Sequence, residues 1–244
     1  MKVTLAEPAY IKPVFDTMSS VLNEVVVDVN SDRIIFRGMD PSNAAYFELR
    51  LENSLFIEYD VDKDEIFSLN MGRLKNIFGV VGKGDMISWD KENGDFGFEI
   101  TGLQKDRYTL SVLDNQKDPQ LDINEEVTIE SPSDLFENGI KKARVIHDDL
   151  EFNVEDMELT ISSNDKMDHA DIHFKPNDEV AIDQKEEGTI HSMYSGELLE
   201  KVTKVTKAFD KVRVSFSDNG PVQLKYNKPD KLVFRSIIAM RIAE

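Results

Sequence analysis

The chain repeats itself. Thr4 to Phe36 reads as strand, helix, strand, turn and strand, and Thr128 to Ile161 reads the same way at an offset of 124. Glu7-Pro8 falls on Ser131-Pro132, Asn23-Glu24 on His147-Asp148, and Ile35 on Leu159. Further on, Leu74, Phe78 and Val81 fall on Leu198, Val202 and Val205, and one position later Ile87 and Trp89 fall on Val212 and Val214. A repeat with matched apolar positions requires each half to bury a core of its own with the same order of elements. It predicts two α+β domains, each with two helices and a strand-rich remainder. A length of 244 residues suits two domains of that kind. The junction falls in NQKDPQLDINEE, which is polar, holds a proline and has only Leu121 and Ile123 as large apolar residues. The expected division is 1–114, a connector at 115–126, and 127–244.

Within each half two periodicities alternate. Ala45, Phe47, Leu49 and Leu51 alternate with polar neighbours, as do Phe96, Phe98 and Ile100, then Tyr108, Leu110 and Val112, then Val212, Val214 and Phe216. Period two with one apolar face is the pattern of antiparallel strands covered on one side. Four segments show helical spacing instead: Ala9 to Glu24, Arg73 to Val81, the stretch after Ser131-Pro132-Ser133, and the stretch after Ser195-Gly196 as far as Lys211. Pro13 is awkward inside the first of these, unless that helix starts late or bends there.

Charge narrows the function. Lys and Arg number 29 against 47 Asp and Glu, a formal net charge of −18. Such a chain repels nucleic acid on average, so any contact with DNA must use a surface where the cations are gathered. Eleven of the 29 lie on or beside the four helical segments. Lys204, Lys207 and Lys211 fall within about 60° of one another on a helical wheel, opposite Leu198, Val202, Val205 and Phe209. Lys141, Lys142 and Arg144 mark the third helix, Arg73 and Lys75 the second, and Lys12 the first. The functional reading is a basic helical face for phosphates on an acidic body. The plainer reading is an ordinary solvated face, since lysines are common on exposed helices and Asp16, Glu24, Asp134, Glu137, Glu197 and Glu200 dilute this one. No aromatic residue interleaves with the lysines, which argues against stacking on single strands.

The absence of cysteine excludes disulfides, thiolate metal sites and thiol nucleophiles. The N-terminal MKVTLAEPAY has no apolar core of a signal peptide, and no apolar run spans a membrane, so a cytosolic protein is expected.

Four segments together resemble the sliding clamps of the proliferating cell nuclear antigen type found in archaea and eukaryotes. FRGMDPSNAAYFELRL (36–51) is similar to the clamp's strand–turn–strand, and DEIFSLNMGRLKNIFGVVGKGDMISW (64–89) to the segment holding its second helix. NGPVQLKYN (219–227) and LVFRSIIAMRIAE (232–244) resemble its last two strands. The resemblance covers essentially the whole chain and rests on the order and spacing of these segments. It implies an α+β fold of two duplicated clamp domains, each with two helices packed on antiparallel sheets. Three chains would form a six-domain ring with helices inward. Duplex DNA would thread the ring and be held through phosphates. On this resemblance the DNA-facing set is Lys12, Arg73, Lys75, Lys141, Lys142, Lys201, Lys204, Lys207 and Lys211. Asn76, Gly79 and Ser19 stand where relatives often carry lysines, which implies weak or unusually salt-sensitive binding.

The resemblance also implies a pocket for a partner peptide carrying a glutamine and aromatic anchors. Its matching residues are Met39, Asn43, Ala44, Leu121, Ile123, Pro221, Ile237, Ile238, Ala239 and Met240. Met240 replaces the family's usual proline. Taken alone, Met39, Ile237 and Ile238 read as core. Subunits of the family join by edge strands, which places Tyr108, Leu110 and Val112 on one side of the joint and Ala170, Ile172 and Phe174 on the other. His169 and His173 lie on the opposite face of that strand, where they would make the joint pH-sensitive. The implied partners are duplex DNA, a DNA polymerase, an ATP-driven clamp loader, a flap endonuclease and a ligase. The protein would be non-enzymatic and need no cofactor or metal. Its location would be the nucleoid in an archaeon or the nucleus in a eukaryote.

Other sites are poorer fits. Asp60-Val61-Asp62-Lys63-Asp64 begins like a calcium loop, but Glu65 stands where glycine is needed and Met71 where glutamate is. Gly82-Lys83-Gly84-Asp85 lacks phosphate-loop spacing. His169, Asp171 and His173 share a strand face but have no fourth ligand. Two rival readings remain. One is a clamp paralogue, of checkpoint or heterotrimer-only kind, unable to close a ring alone. The other is a small duplicated enzyme, which predicts a concave site of paired, shifted carboxylates.

Overall fold

Strand and helix follow in the same order in both halves. The computed structural model describes residues 1–92, 94–113, 121 and 123–242, so most of the expected connector at 115–126 lies outside the described residues. The first half runs β1 (Lys2–Leu5), α1 (Lys12–Ser19), β2 (Glu24–Val29), β3 (Arg33–Met39), β4 (Ala45–Glu52), β5 (Glu58–Asp60), β6 (Glu65–Asn70), α2 (Met71–Val80), β7 (Met86–Glu92), β8 (Asp95–Thr101) and β9 (Lys105–Ser111). The second runs β10 (Val127–Pro132), α3 (Ser133–Ala143), β11 (Asp149–Glu155), β12 (Glu158–Asp165), β13 (Asp168–Phe174), β14 (Ala181–Gln184), β15 (Ile190–Ser195), α4 (Gly196–Thr203), β16 (Lys211–Phe216), β17 (Val222–Lys228) and β18 (Leu232–Ile238). Every element of the first half has its counterpart in the second, and the fold is α+β with antiparallel pairing.

By packing, the chain divides into two compact units. Unit 1 is Met1–Asp40, Phe47–Pro119 and Lys228–Phe234; unit 2 is Pro41–Tyr46, Gln120–Asn227 and Arg235–Glu244. In unit 1 the strands form one sheet in the order β5-β1-β7-β8-β9, and β4-β3-β2-β6 run side by side in another. Trp89 on β7 is fully buried where these layers meet the helices. Its ring lies 5.5–6.3 Å from those of Phe56, Phe36 on β3, Phe78 on α2 and Phe98 on β8, and Phe15 on α1 lies 4.5 Å from Phe78. Pro13 is accommodated because α1 starts only at Lys12, after a 3-10 turn at Pro8–Tyr10. The proline therefore falls in the first turn, where an N–H has no helical partner to lose. The helix expected from Ala9 to Glu24 is accordingly shorter at both ends. Asn70 caps α2, its side-chain oxygen accepting the Arg73 N–H at 2.9 Å.

In unit 2 β13-β12-β11-β15 form one sheet, and β14-β10-β16-β17 run side by side in another. Phe152 on β11 packs edge-on against Tyr194 on β15 and Phe216 on β16, and Phe136 on α3 sits 5.9 Å from Phe174 on β13. Gly139 lets α3 approach β13 this closely, since a Cβ there would stand 2.5 Å from the Phe174 ring. One expectation is corrected. The fourth helix does not run to Lys211. It ends at Thr203, tightens into a 3-10 turn over Lys204–Ala208, and Lys211 opens β16. Val202, Thr203, Val205 and Thr206 are β-branched and disfavour helix by crowding the preceding turn.

Strands β4 and β18 contribute to both units. In unit 1 the Glu52 N–H donates to the Lys231 carbonyl at 2.8 Å, and Phe47 stacks on Phe234 at 6.0 Å. In unit 2 the Ala239 N–H donates to the Ala44 carbonyl at 2.8 Å. Numbers rise along one strand as they fall along the other, so the two run antiparallel.

Candidate functional site

The cations of unit 1 sit on neighbouring helices. Arg73 and Lys75 are exposed on α2. Lys12, half-buried on α1, donates to the Gly79 carbonyl at 3.2 Å. That bond ties α1 to the last turn of α2, where unpaired carbonyls favour a cation. Lys12 therefore has a structural role besides any surface one.

In unit 2 the structure brings Lys141, Lys142, Lys201, Lys204 and Lys207 onto α3, α4 and the turn after α4. Two are hydrogen-bonded to glutamates one turn earlier, Lys141 to Glu137 at 2.5 Å and Lys201 to Glu197 at 2.6 Å, and Lys204 stands in a looser pair 3.9 Å from Glu200. Glu137 also accepts the Thr206 hydroxyl at 2.7 Å, which joins α3 to the turn carrying Lys207. Burial pushes the Glu137 carboxyl up, but hydrogen bonds from Lys141 and Thr206 outweigh it and hold the group below the usual glutamate range. The Lys201 hydrogen bond holds Glu197 down likewise. Lys211 is exposed but stands on β16, away from the helical stripe expected to carry it.

The residues expected in a peptide pocket separate by depth. Ile237 and Ile238 are buried at the end of β18. Asn43, Leu121, Ala239 and Met240 are exposed, and Ala44, Ile123 and Pro221 are half-buried in the same unit. Asn43 has φ 59°, a left-handed conformation that asparagine tolerates. Arg235 fixes the connector end here, its guanidinium donating to the Leu121 carbonyl at 2.6 Å and to Gln223. Met39, half-buried, closes β3 in unit 1.

Of the residues expected at a subunit joint, Tyr108 is exposed and Leu110 buried on β9, with Val112 half-buried just beyond it. On β13 Phe174 is buried against α3, and Ala170 and Ile172 are half-buried beside it. What β9 and β13 leave open is main chain, since each is the edge of its sheet among the described residues. His173 faces Thr160 at 3.2 Å and Glu158 at 2.8 Å, and Asp171 accepts the Ser162 hydroxyl.

Residues 1–117 match the sequence profile described as "Proliferating cell nuclear antigen, N-terminal domain". The "DNA polymerase sliding clamp 1" of Thermococcus kodakarensis is 26% identical over 234 residues, 93% of each chain. The "DNA polymerase sliding clamp 3" of Sulfurisphaera tokodaii is 24% identical over 94% of each. The crystal structure of PCNA from Thermococcus kodakaraensis superimposes with a TM-score of 0.90 at 18% identity, over 98% of this chain and 99% of that one. A PCNA2–PCNA3 complex from Sulfolobus tokodaii gives a TM-score of 0.87 at 22% identity, over 99% of each chain. The chain belongs to the PCNA family. As a PCNA-type clamp it is a processivity factor rather than an enzyme.

One feature of this chain was not legible in its sequence. Asp148, in the turn after α3, accepts the Arg144 Nε–H at 3.1 Å and the Glu197 N–H at 2.7 Å, and pairs with Arg241 at 2.9 Å. Arg241 also pairs with Asp149, and its own N–H donates to the Met193 carbonyl at 2.7 Å. Nothing local links Arg241 to residues more than ninety positions earlier, so spacing alone does not reveal it. Burial pushes the Asp148 carboxyl up, but its bonds to Arg144 and the Glu197 N–H and the charge of Arg241 hold it below the usual value of 3.8. A depressed carboxylate lends stability above its unfolded pKa and loses it as pH falls through the folded one. Unit 2 is therefore expected to lose stability as pH drops below about 3.8. Asp148→Asn should lower the melting temperature at pH 7 and flatten its fall over that acid range. An acid-range slope identical to the parent's would contradict this role for Asp148.

Proposed function

We propose that this chain forms a closed ring of three copies around duplex DNA and tethers replication and repair proteins to it. The supporting observation is where the cations are. In a chain of net charge −18, eight of the 29 Lys and Arg lie on α1, α2, α3, α4 and the turn that follows, against five Asp and Glu there. Duplex DNA would lie against the helices of each unit and be held through phosphates, with no base read. Lysine suits such contacts, being a flexible point charge that can leave one phosphate for the next. In this reading residues 1–114 and 127–244 are the two clamp domains and 115–126 the connector. Partners such as a polymerase, a clamp loader, a flap endonuclease and a ligase would dock by peptide at Ala44, Leu121, Ile123, Pro221, Ala239 and Met240. The archaeal relatives favour the nucleoid as its location.

The internal repeat supports the manner of closure. By order, β9 is the counterpart of β18, and β13 of β4. The chain already pairs β18 with β4, through Glu52–Lys231 and Ala44–Ala239. Adding β9 of one copy to β13 of the next would repeat that pairing and satisfy both edges. Such a head-to-tail joint closes into a ring when the rotation fits. Light scattering should give about three times 27.8 kDa at low and high salt. Loaded rings should stay on circular DNA and run off linear DNA. A chain that is monomeric at every concentration would overturn self-sufficient closure and point to a heterotrimer subunit. Equal loss from circles and linear DNA would overturn encirclement.

A further inference from the structure

We propose that Glu137, Glu197 and Glu200 act as an electrostatic brake on DNA contact, pairing with Lys141, Lys201 and Lys204 so that a phosphate must compete for them. This rests on the reading of the helical face of unit 2 as DNA-facing. All three pairs have the glutamate four residues before the lysine, the favourable order on a helix. Two of them have a second side-chain tie. Glu137 takes the Thr206 hydroxyl and Glu200 also pairs with Arg144. Those two carboxylates are therefore positioned by the fold, while Glu197 is held by Lys201 within one helix. Over α3, α4 and the following turn, Lys141, Lys142, Arg144, Lys201, Lys204 and Lys207 stand against Asp134, Glu137, Glu197 and Glu200.

Exposed pairs of this kind are weak, so exchange with a phosphate is easy in energy. A lysine that turns to a phosphate nevertheless leaves its carboxylate behind, a few ångströms from the new anion. That repulsion is the brake. It lowers affinity without removing a contact, and weak, exchangeable contacts are what movement along DNA requires. The three glutamates thus set how tightly this face grips, and the lysines set only that it does.

The test is binding of the full chain to a random-sequence duplex of about 30 base pairs by fluorescence anisotropy, long enough to cover one such face. Glu→Gln at 137, 197 and 200 keeps the shape and the hydrogen-bonding oxygen but removes the charge. Binding should tighten about tenfold at 50 mM salt, and only about twofold at 200 mM, where the charges are better screened. Affinity within twofold of the parent at 50 mM would overturn the brake. Lys→Gln at 141, 201 and 204 separates the two readings. If it weakens binding while the glutamine variant fails to tighten it, the brake alone is wrong. If it leaves binding unchanged, the DNA-facing reading is wrong and the brake falls with it. Glu197→Gln alone guards against misfolding of the triple variant, because Glu197 is exposed and pairs within one helix. It should tighten binding about twofold at 50 mM, and no change would count against the proposal.

Discussion

Trp89→Ala is expected to destabilise unit 1 by roughly 3–5 kcal/mol, the largest stability effect of any single substitution argued for this chain. Trp89 is fully buried, and its ring touches Phe36, Phe56, Phe78 and Phe98, which come from both sheets of the unit, a loop and α2. Truncation leaves a void that these rings cannot all close, because each is fixed by its own strand or helix. Domains are stable by only about 5–15 kcal/mol, so the loss approaches unfolding. The change should be confined at first to unit 1. Hydrogen exchange is the proper readout, because a chain of two units need not unfold in one step. Amides of β1, β7 and β8 should lose protection, while those of β11 and β12 keep most of theirs. A loss below about 1 kcal/mol in β7 would show that the cluster repacks and that Trp89 is not its centre.

Trp89 also shows how much of the fold was written in the sequence. Its match with Val214 was one of the pairs that revealed the repeat, and the repeat carried the element order of both halves. What local pattern could not supply was the place where an element stops. The wheel that put Lys211 beside Lys204 assumed a helix continuing through Val205 and Thr206, and β-branched residues ended it early. Pro13 was the opposite case. Its discomfort inside a helix was legible, and a late start at Lys12 resolves it. Depth was partly legible. Ile237 and Ile238 read as core when taken alone and as pocket by resemblance, and the structure buries both. The glutamates that pair with the lysines were visible at four-residue spacing, but only as dilution of charge. The second ties of Glu137 and Glu200, to Thr206 and Arg144, are long-range and leave no spacing to read. The same holds for Arg241.

Loss of peptide docking is the second large effect expected, and Arg241 makes it specific. The exposed apolar residues proposed to meet a partner are Leu121, Ala239 and Met240, beside the half-buried Ile123. Ile123→Asp combined with Met240→Asp would place carboxylates where an aromatic anchor must be desolvated. Burying a charge without a partner costs several kcal/mol, and anchors of this kind carry 2 kcal/mol or more each. Affinity for a peptide with one glutamine and two aromatic residues should fall at least about thirtyfold. Arg241→Ala should weaken the same peptide by a smaller factor of about three to ten, without touching it. Arg241 holds the segment that carries Met240, through Asp148, Asp149 and the Met193 carbonyl, and a loose segment must be ordered on binding. The oligomer mass should not change in either variant. Calorimetry with the peptide decides the matter. An unchanged affinity in the double aspartate variant would remove this surface as the docking site. An Arg241→Ala variant that binds like the parent would show that Met240 is held in place by its own packing.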